Sequence, residues 1–225
     1  MTQGYVFETF ENKAALQTAA AAWLAAALTD AIARRGSAVF MGSGGTTPGP
    51  IYETLSDADL DWDSVHVGLC DERWVDESSE RSNARLIKSR LLTERAAAAQ
   101  FAPFFVEGAE AEEAMGEVSA SLAPLLPISV LLLGMGADMH TASLFPGAPE
   151  LGAALTAEAP VMAIQPEGQE TRVTLTGPVL AGAMHTHVLI TGEEKREALE
   201  RAKSLGAMEA PIVTVLANAT VHWAA

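Results

Sequence analysis

His140 stands two residues after Asp138, just beyond Ile128 to Leu133, the most continuous apolar run in the chain. A neutral imidazole at such a position takes a proton from water near pH 7 and returns it to a leaving group. Asp138 has two readings, orienting the ring or capping a following helix. Three more polar clusters end apolar runs: Ser43-Gly44-Gly45-Thr46-Thr47, Asp71-Glu72-Arg73 and Thr191-Gly192-Glu193-Glu194-Lys195. The first suits a phosphate, because paired glycines let backbone amides turn inward and the hydroxyls add donors. It is not a Walker A loop, since no Gly-Lys-Ser/Thr ending follows, and Gly134-Met135-Gly136 lacks the third glycine of a dinucleotide fingerprint. Arg73 brings a fork that matches phosphate or carboxylate, and Arg172 and Lys195 are also at strand boundaries.

Other chemistries find less support. Ser143 lacks the Gly-x-Ser-x-Gly setting of a hydrolase elbow. His185 and His187 share a strand face, but no third metal ligand accompanies them, so local packing is the better reading. His66 and His222 have no polar neighbours in sequence and receive no role. Cys70 has no partner for a disulfide or thiolate cage and reads as a small buried residue at a strand end.

These residues need a scaffold that gathers strand ends. The 225 residues include 49% hydrophobic ones, enough for a sizeable core, and no low-complexity linker or repeat interrupts them, so one domain over 1–225 is expected. Ala- and Leu-rich Asn12 to Arg35 predicts a long helix stopped at Gly36. Strands are predicted at Ala38 to Met41, Val65 to Cys70, Phe101 to Val106, Ile128 to Leu133, Val161 to Ile164, Arg172 to Leu175, Val188 to Thr191 and Val221 to Trp223. Helices are predicted around Ile51 to Leu55, Ser82 to Leu92, Glu110 to Leu122, Glu194 to Leu205 and within Pro211 to Leu216. Phe145 to Gly152 reads as a loop. Alternating strands and helices give an α/β fold with a mainly parallel sheet covered on both faces. Ligands collect there beyond the carboxyl ends of the strands.

Charge narrows the partners. Fourteen Lys and Arg against 29 Asp and Glu leave −15, a field that repels nucleic acid and anionic membrane surfaces. An anionic ligand therefore needs a local cationic pocket, which Arg73, Arg172 and Lys195 are expected to supply. No basic segment followed by an uninterrupted apolar stretch opens the chain, and a cytoplasmic protein is expected.

The motifs together resemble one family. Ser43 to Pro48, Asp71 to Arg73 with Ser82-Asn83, Leu131 to Gly136 with Asp138 and His140 to Pro146, Arg172 to Thr176 and Thr191 to Lys195 occur in the order found in the glucosamine-6-phosphate isomerase/6-phosphogluconolactonase family. The resemblance implies a three-layer α/β sandwich and hydrolysis of 6-phospho-D-glucono-1,5-lactone in the oxidative pentose phosphate pathway, with neither metal nor organic cofactor. It implies His140, Asp138 and Arg73 as catalytic residues. Ser43, Gly44, Gly45, Thr46, Thr47, Asp71, Arg172 and Lys195 are implied as substrate or phosphate ligands. The partner implied is the sugar-phosphate lactone, with no nucleic acid or membrane, and the protein is expected as a monomer or small homo-oligomer. Alternatives on the same fold are an aminosugar-phosphate deaminase or isomerase and a non-catalytic sugar-phosphate-binding domain. The chain departs from the family pattern at Met139, where the family has glycine between Asp and His.

Overall fold

The computed structural model describes residues 4–225. Strand β1 (Val6–Phe10) leads into α1 (Lys13–Arg35), whose first turn is capped by the Asn12 side chain accepting from the Ala15 N–H at 2.9 Å. Gly36 ends it with φ of 79°, the left-handed turn that glycine takes without a steric cost. Leu16, Ala20, Leu24, Leu28 and Ala31 recur at helical spacing and are buried. The helix is long and apolar enough to cross a membrane. Here that stripe instead joins the core and packs beside the sheet.

The chain continues through β2 (Ala38–Gly42), α2 (Gly49–Ser56), β3 (Val65–Leu69), β4 (Asp71–Arg73), α3 (Asn83–Arg90), β5 (Gln100–Phe101), α4 (Ala111–Leu122) and β6 (Val130–Gly134). Then follow α5 (Leu151–Ala154), β7 (Val161–Ile164), β8 (Arg172–Leu175), α6 (Gly177–Ala181), β9 (His185–Thr191), α7 (Glu193–Ala202), α8 (Val213–Leu216) and β10 (Ala219–Ala224). Seven strands form one sheet in the order β1-β10-β9-β6-β2-β3-β5, and every pairing in it is parallel. Buried on both faces, β2 and β6 are almost wholly apolar, as such strands must be.

From β2 the chain moves outward to β3 and β5, whereas β6 lies on the other side and leads to β9 and β10. The carboxyl ends of β2 and β6 therefore flank the point where strand order reverses, and loops diverge to leave a crevice there.

The expected α/β class and its parallel central sheet are present, but four local expectations need correction. Val161–Ile164 and Arg172–Leu175 do not join the main sheet; with β4 they form a second, antiparallel sheet in the order β4-β8-β7. Asp71-Glu72-Arg73, read as a loop cluster, is itself the edge strand of that sheet. Cys70 is the junction: its N–H donates to the Gly42 carbonyl of β2 at 3.0 Å, and its own carbonyl accepts from Leu175 of β8 at 2.9 Å. The strand expected over Phe101 to Val106 shrinks to two residues, since Pro103 has no N–H to extend a ladder. Finally, β1 was not foreseen; exposed and partly buried residues follow no strict alternation there, and its pairing with β10 is what makes it a strand.

Candidate active site

A cleft of about 490 Å³ opens at the switch point. Ser43, Gly44 and Gly45 from the loop after β2 line one side, and Gly134 at the end of β6 with Gly136, Asp138 and His140 from the loop after it line another. Asp71 and Arg73 of β4, Arg172 of β8 and Lys195 of α7 also line it.

The loop carrying His140 folds back on itself. The Gly136 N–H donates to the His140 carbonyl at 3.0 Å, the Met139 N–H to the Gly136 carbonyl at 3.0 Å, and Thr141 Oγ1 to the Gly134 carbonyl at 2.9 Å. A β-carbon on Gly136 would lie 2.2 Å from His140 Nδ1 and 2.3 Å from Asp138 Oδ1, so only glycine admits this turn. His140 Nδ1 is 2.6 Å from Asp138 Oδ1, and the backbone N–H of His140 donates to the same oxygen at 3.2 Å. The hydrogen bond from His140, ahead of its charge, holds the Asp138 carboxyl below its ordinary value despite the opposing effect of burial. An ionised Asp138 accepts from Nδ1–H, which leaves Nε2 as the basic nitrogen of the neutral ring. Phe145 packs against the imidazole with centroids 4.5 Å apart.

The second sheet supplies the positive wall. Its antiparallel register sets Arg73 directly opposite Arg172, so the two side chains share a face. Arg73 Nη1 donates to the Asn83 Oδ1 and the Arg81 carbonyl, both at 2.9 Å. Arg172 is largely buried, donates from Nη2 to Gln169 Oε1 at 2.7 Å and lies over the Phe145 ring. Burial, followed by the charge of Arg73, lowers the Arg172 pKa. Lys195, in the first turn of α7, makes no ion pair among the described residues.

Glu72 anchors this wall from behind. Fully buried, it accepts from the N–H groups of Arg73 and Asn83 at 2.8 Å, of Ala84 at 2.7 Å, and from Ser82 Oγ at 2.9 Å. These bonds satisfy the free amides at the start of α3 and hold Asn83 beside the strand. Burial still raises the Glu72 pKa, against the pull of all four bonds.

Not every expected ligand reaches the cleft. Thr46 and Thr47 lie outside the lining: Thr46 is exposed, and the Thr47 carbonyl turns away to accept from Gln17 Nε2 at 2.9 Å. Asp71 does line it, but as a carboxylate it repels an anion, and its oxygens are already engaged. Oδ2 accepts from Ser143 Oγ at 2.6 Å, and Oδ1 lies 3.3 Å from Cys70 Sγ and 3.4 Å from Asn83 Nδ2. It ties β4 to the loop that follows His140. Asn83, Phe145 and Gln169 line the cleft without having been expected there. For Asn83 and Phe145 a signal existed, since both lie inside the motifs Ser82-Asn83 and His140 to Pro146; for Gln169 none did. Gly44 is needed beside Asn83, whose Oδ1 would stand 1.9 Å from an added β-carbon.

The family model described as glucosamine-6-phosphate isomerases/6-phosphogluconolactonase matches residues 11–223. The chain belongs to this family. It is 41% identical over 224 residues to a 6-phosphogluconolactonase of Rhizobium meliloti (strain 1021), covering 96% of this chain and 97% of that protein. A 6-phosphogluconolactonase of Pseudomonas aeruginosa is 40% identical over 211 residues, covering 90% of this chain and 88% of that one. The crystal structure of a 6-phosphogluconolactonase from Shewanella baltica OS155 superposes with a TM-score of 0.96 at 34% identity over the whole of both chains. Against the family pattern of glycine between Asp and His, Met139 takes φ of 68°. The glycine-like backbone is thus kept, at a steric cost that glycine would avoid, and the Met139 side chain packs against the core.

Proposed function

We propose that this chain is a single domain over residues 1–225 that hydrolyses 6-phospho-D-glucono-1,5-lactone to 6-phosphogluconate. The observation that carries the reading is a carboxylate-oriented imidazole facing a cleft whose opposite wall pairs two arginines. His140 Nε2 takes a proton from water as its oxygen bonds to the lactone carbonyl carbon. Asp138 holds the ring through Nδ1–H and stabilises the imidazolium that forms. The bond from that carbon to the ring oxygen then breaks, and the imidazolium returns the proton to the departing oxygen. Water is the only co-reactant the balance requires.

The anionic 6-phosphate belongs between Arg73 and Arg172, where two forks converge in a poorly hydrated corner. This places Arg73 on the phosphate instead of on the reacting carbonyl. Phe145 packs near both the His140 ring and the Arg172 guanidinium, so one aromatic surface serves the base and the phosphate site. Amides of Ser43 to Gly45 and the ammonium of Lys195 are then the donors for the negative charge that develops on the carbonyl oxygen. The family relationship and the gathering of Ser43 to Gly45, Asp138, His140, Arg73, Arg172 and Lys195 around one cleft support the scheme. We place the enzyme in the cytoplasm, as a monomer or small homo-oligomer with no nucleic-acid or membrane partner.

The test is a coupled assay on freshly generated 6-phosphogluconolactone, corrected for spontaneous hydrolysis. Turnover above background is expected. Release of ammonia from glucosamine 6-phosphate without lactonase activity would overturn the reading in favour of a deaminase.

A further inference from the structure

The pairing of Arg73 with Arg172 across β4 and β8 sets two like charges directly opposite each other in a mostly buried setting, an arrangement that destabilises a sheet unless an anion stands nearby. Two carboxylates are close enough to serve, Asp71 and Glu170. Asp71 is committed to Ser143, Cys70 and Asn83. Glu170 is different. Its Oε2 is ion-paired with Arg81 at 2.5 Å, while its Oε1 is buried, accepts no hydrogen bond and stands 3.6 Å from Arg73 Nε. That nitrogen is itself buried without a partner, and so is Arg172 Nε. Three polar atoms around the arginine pair are thus left unsatisfied together, which protein interiors rarely tolerate without a reason. At 3.6 Å the Glu170 contact is one of charge, too long for a hydrogen bond.

We infer that Glu170 is a specificity-determining residue: it is the resident counter-anion of the Arg73–Arg172 pair, and it sets how tightly the cleft holds a phosphate-bearing sugar acid. The inference rests on the phosphate placement proposed above. Arg73 does not need Glu170 for its orientation, because Nη1 is already fixed by Asn83 and the Arg81 carbonyl. Glu170 therefore contributes neutralising charge. An arriving phosphate dianion competes with it for Arg73, and Arg81, largely exposed, remains as its partner when it yields. The product carries a phosphate and a new carboxylate, and a permanent negative charge behind the arginines weakens its hold and eases release.

Glu170→Gln tests this, because it removes the charge and preserves the shape. Binding is measured by calorimetry with inorganic phosphate, 6-phosphogluconate and gluconate as probes. The variant is expected to bind the two phosphate-bearing probes about three- to tenfold more tightly, the scale of one charge a few ångströms away when solvent at the cleft mouth screens it at a near-aqueous dielectric, with gluconate unchanged. KM for the lactone should fall without a rise in kcat. Without ligand the variant should melt at a lower temperature than the wild type, and saturating phosphate should close that gap. A residue that merely supports the loop would lower stability and weaken binding together. Glu170→Ala serves as the second variant and should also bind phosphate more tightly. Equal or weaker binding of 6-phosphogluconate by both variants would overturn the assignment of Glu170. If the wild type binds 6-phosphogluconate no better than gluconate, the phosphate placement itself is wrong.

Discussion

Two histidine–carboxylate pairs occur among the described residues, and they share little beyond their chemistry. In the loop after β6, His140 is bonded to Asp138 at 2.6 Å and its side chain keeps 31% of its exposure. On the main sheet, His222 of β10 lies 3.1 Å from Glu8 of β1 with its side chain 2% exposed. There the second ring nitrogen is used as well, since Nε2 lies 2.9 Å from His187 Nδ1 of β9. Trp23 of α1 stacks on His222 with centroids 3.9 Å apart, closing the cluster from above. Burial pushes both His187 and His222 down to about 4, with the charge of His222 adding to the shift at His187. A carboxylate beside an imidazole is therefore not in itself a catalytic device. General-base chemistry also needs the other nitrogen free and open on a cleft, a setting that a strand end provides and a strand centre does not. His222, given no role for want of polar neighbours in sequence, proves to have two of them in space. His187 uses its Nδ1 on His222, and no metal-binding cluster occurs among the described residues.

The sharpest way to break the contrast is to remove the free nitrogen. His140→Gln should lower lactonase turnover by about a thousandfold, the scale of a lost general base, with an unchanged melting temperature; near-wild-type turnover would end the case for His140 as the base. The matching change in the buried cluster should do the reverse. His187→Phe with His222→Phe should leave kcat and KM unaltered but change how stability responds to acid.

The sign of that response follows from the shifts. Both histidines have folded-state values near 4 against 6.5 unfolded. The unfolded chain therefore binds more protons between these values, so the cluster's stabilisation is complete above about pH 6.5 and declines as pH falls toward 4. The loss is on the order of 3 kcal/mol for each histidine whose value is shifted in this way, and urea midpoints across that window should show it in the wild type and lose it in the double variant.

Asp138→Asn probes the orienting partner alone. It removes the charge that stabilises the imidazolium and weakens the preference for Nδ1–H, so turnover should fall, though by less than for His140→Gln because the base itself is kept. A loss confined to KM would mean that Asp138 acts on substrate binding instead. The smallest effect is expected at Met139→Gly. Relief of a left-handed backbone, about 1 kcal/mol, is set against loss of side-chain packing on the core. The melting temperature should move by only a few degrees and kcat should hold.

What could be read along the chain was local. The Gly36 stop of α1, the glycine loop after β2 and the Asp138–His140 spacing all depend on residues within a few positions of one another. The second sheet was not legible for the opposite reason. Asp71-Glu72-Arg73 becomes a strand only because Cys70 hands the backbone from Gly42 to Leu175, and neither partner is near it in sequence. The same holds for Glu170, a surface-like glutamate until folding sets it against Arg73.

The sequence by itself determined the α/β class and the strand-end placement of the glycine loop and of the segment that carries Asp138 and His140, because periodicity, glycine stops and close spacing are encoded in neighbouring residues. The tertiary structure alone decided which cations face each other, which carboxylates are already occupied and which histidine keeps a nitrogen free. Those outcomes depend on the register between distant strands and on burial, which fix charge separation and solvation, and no local stretch of chain specifies either.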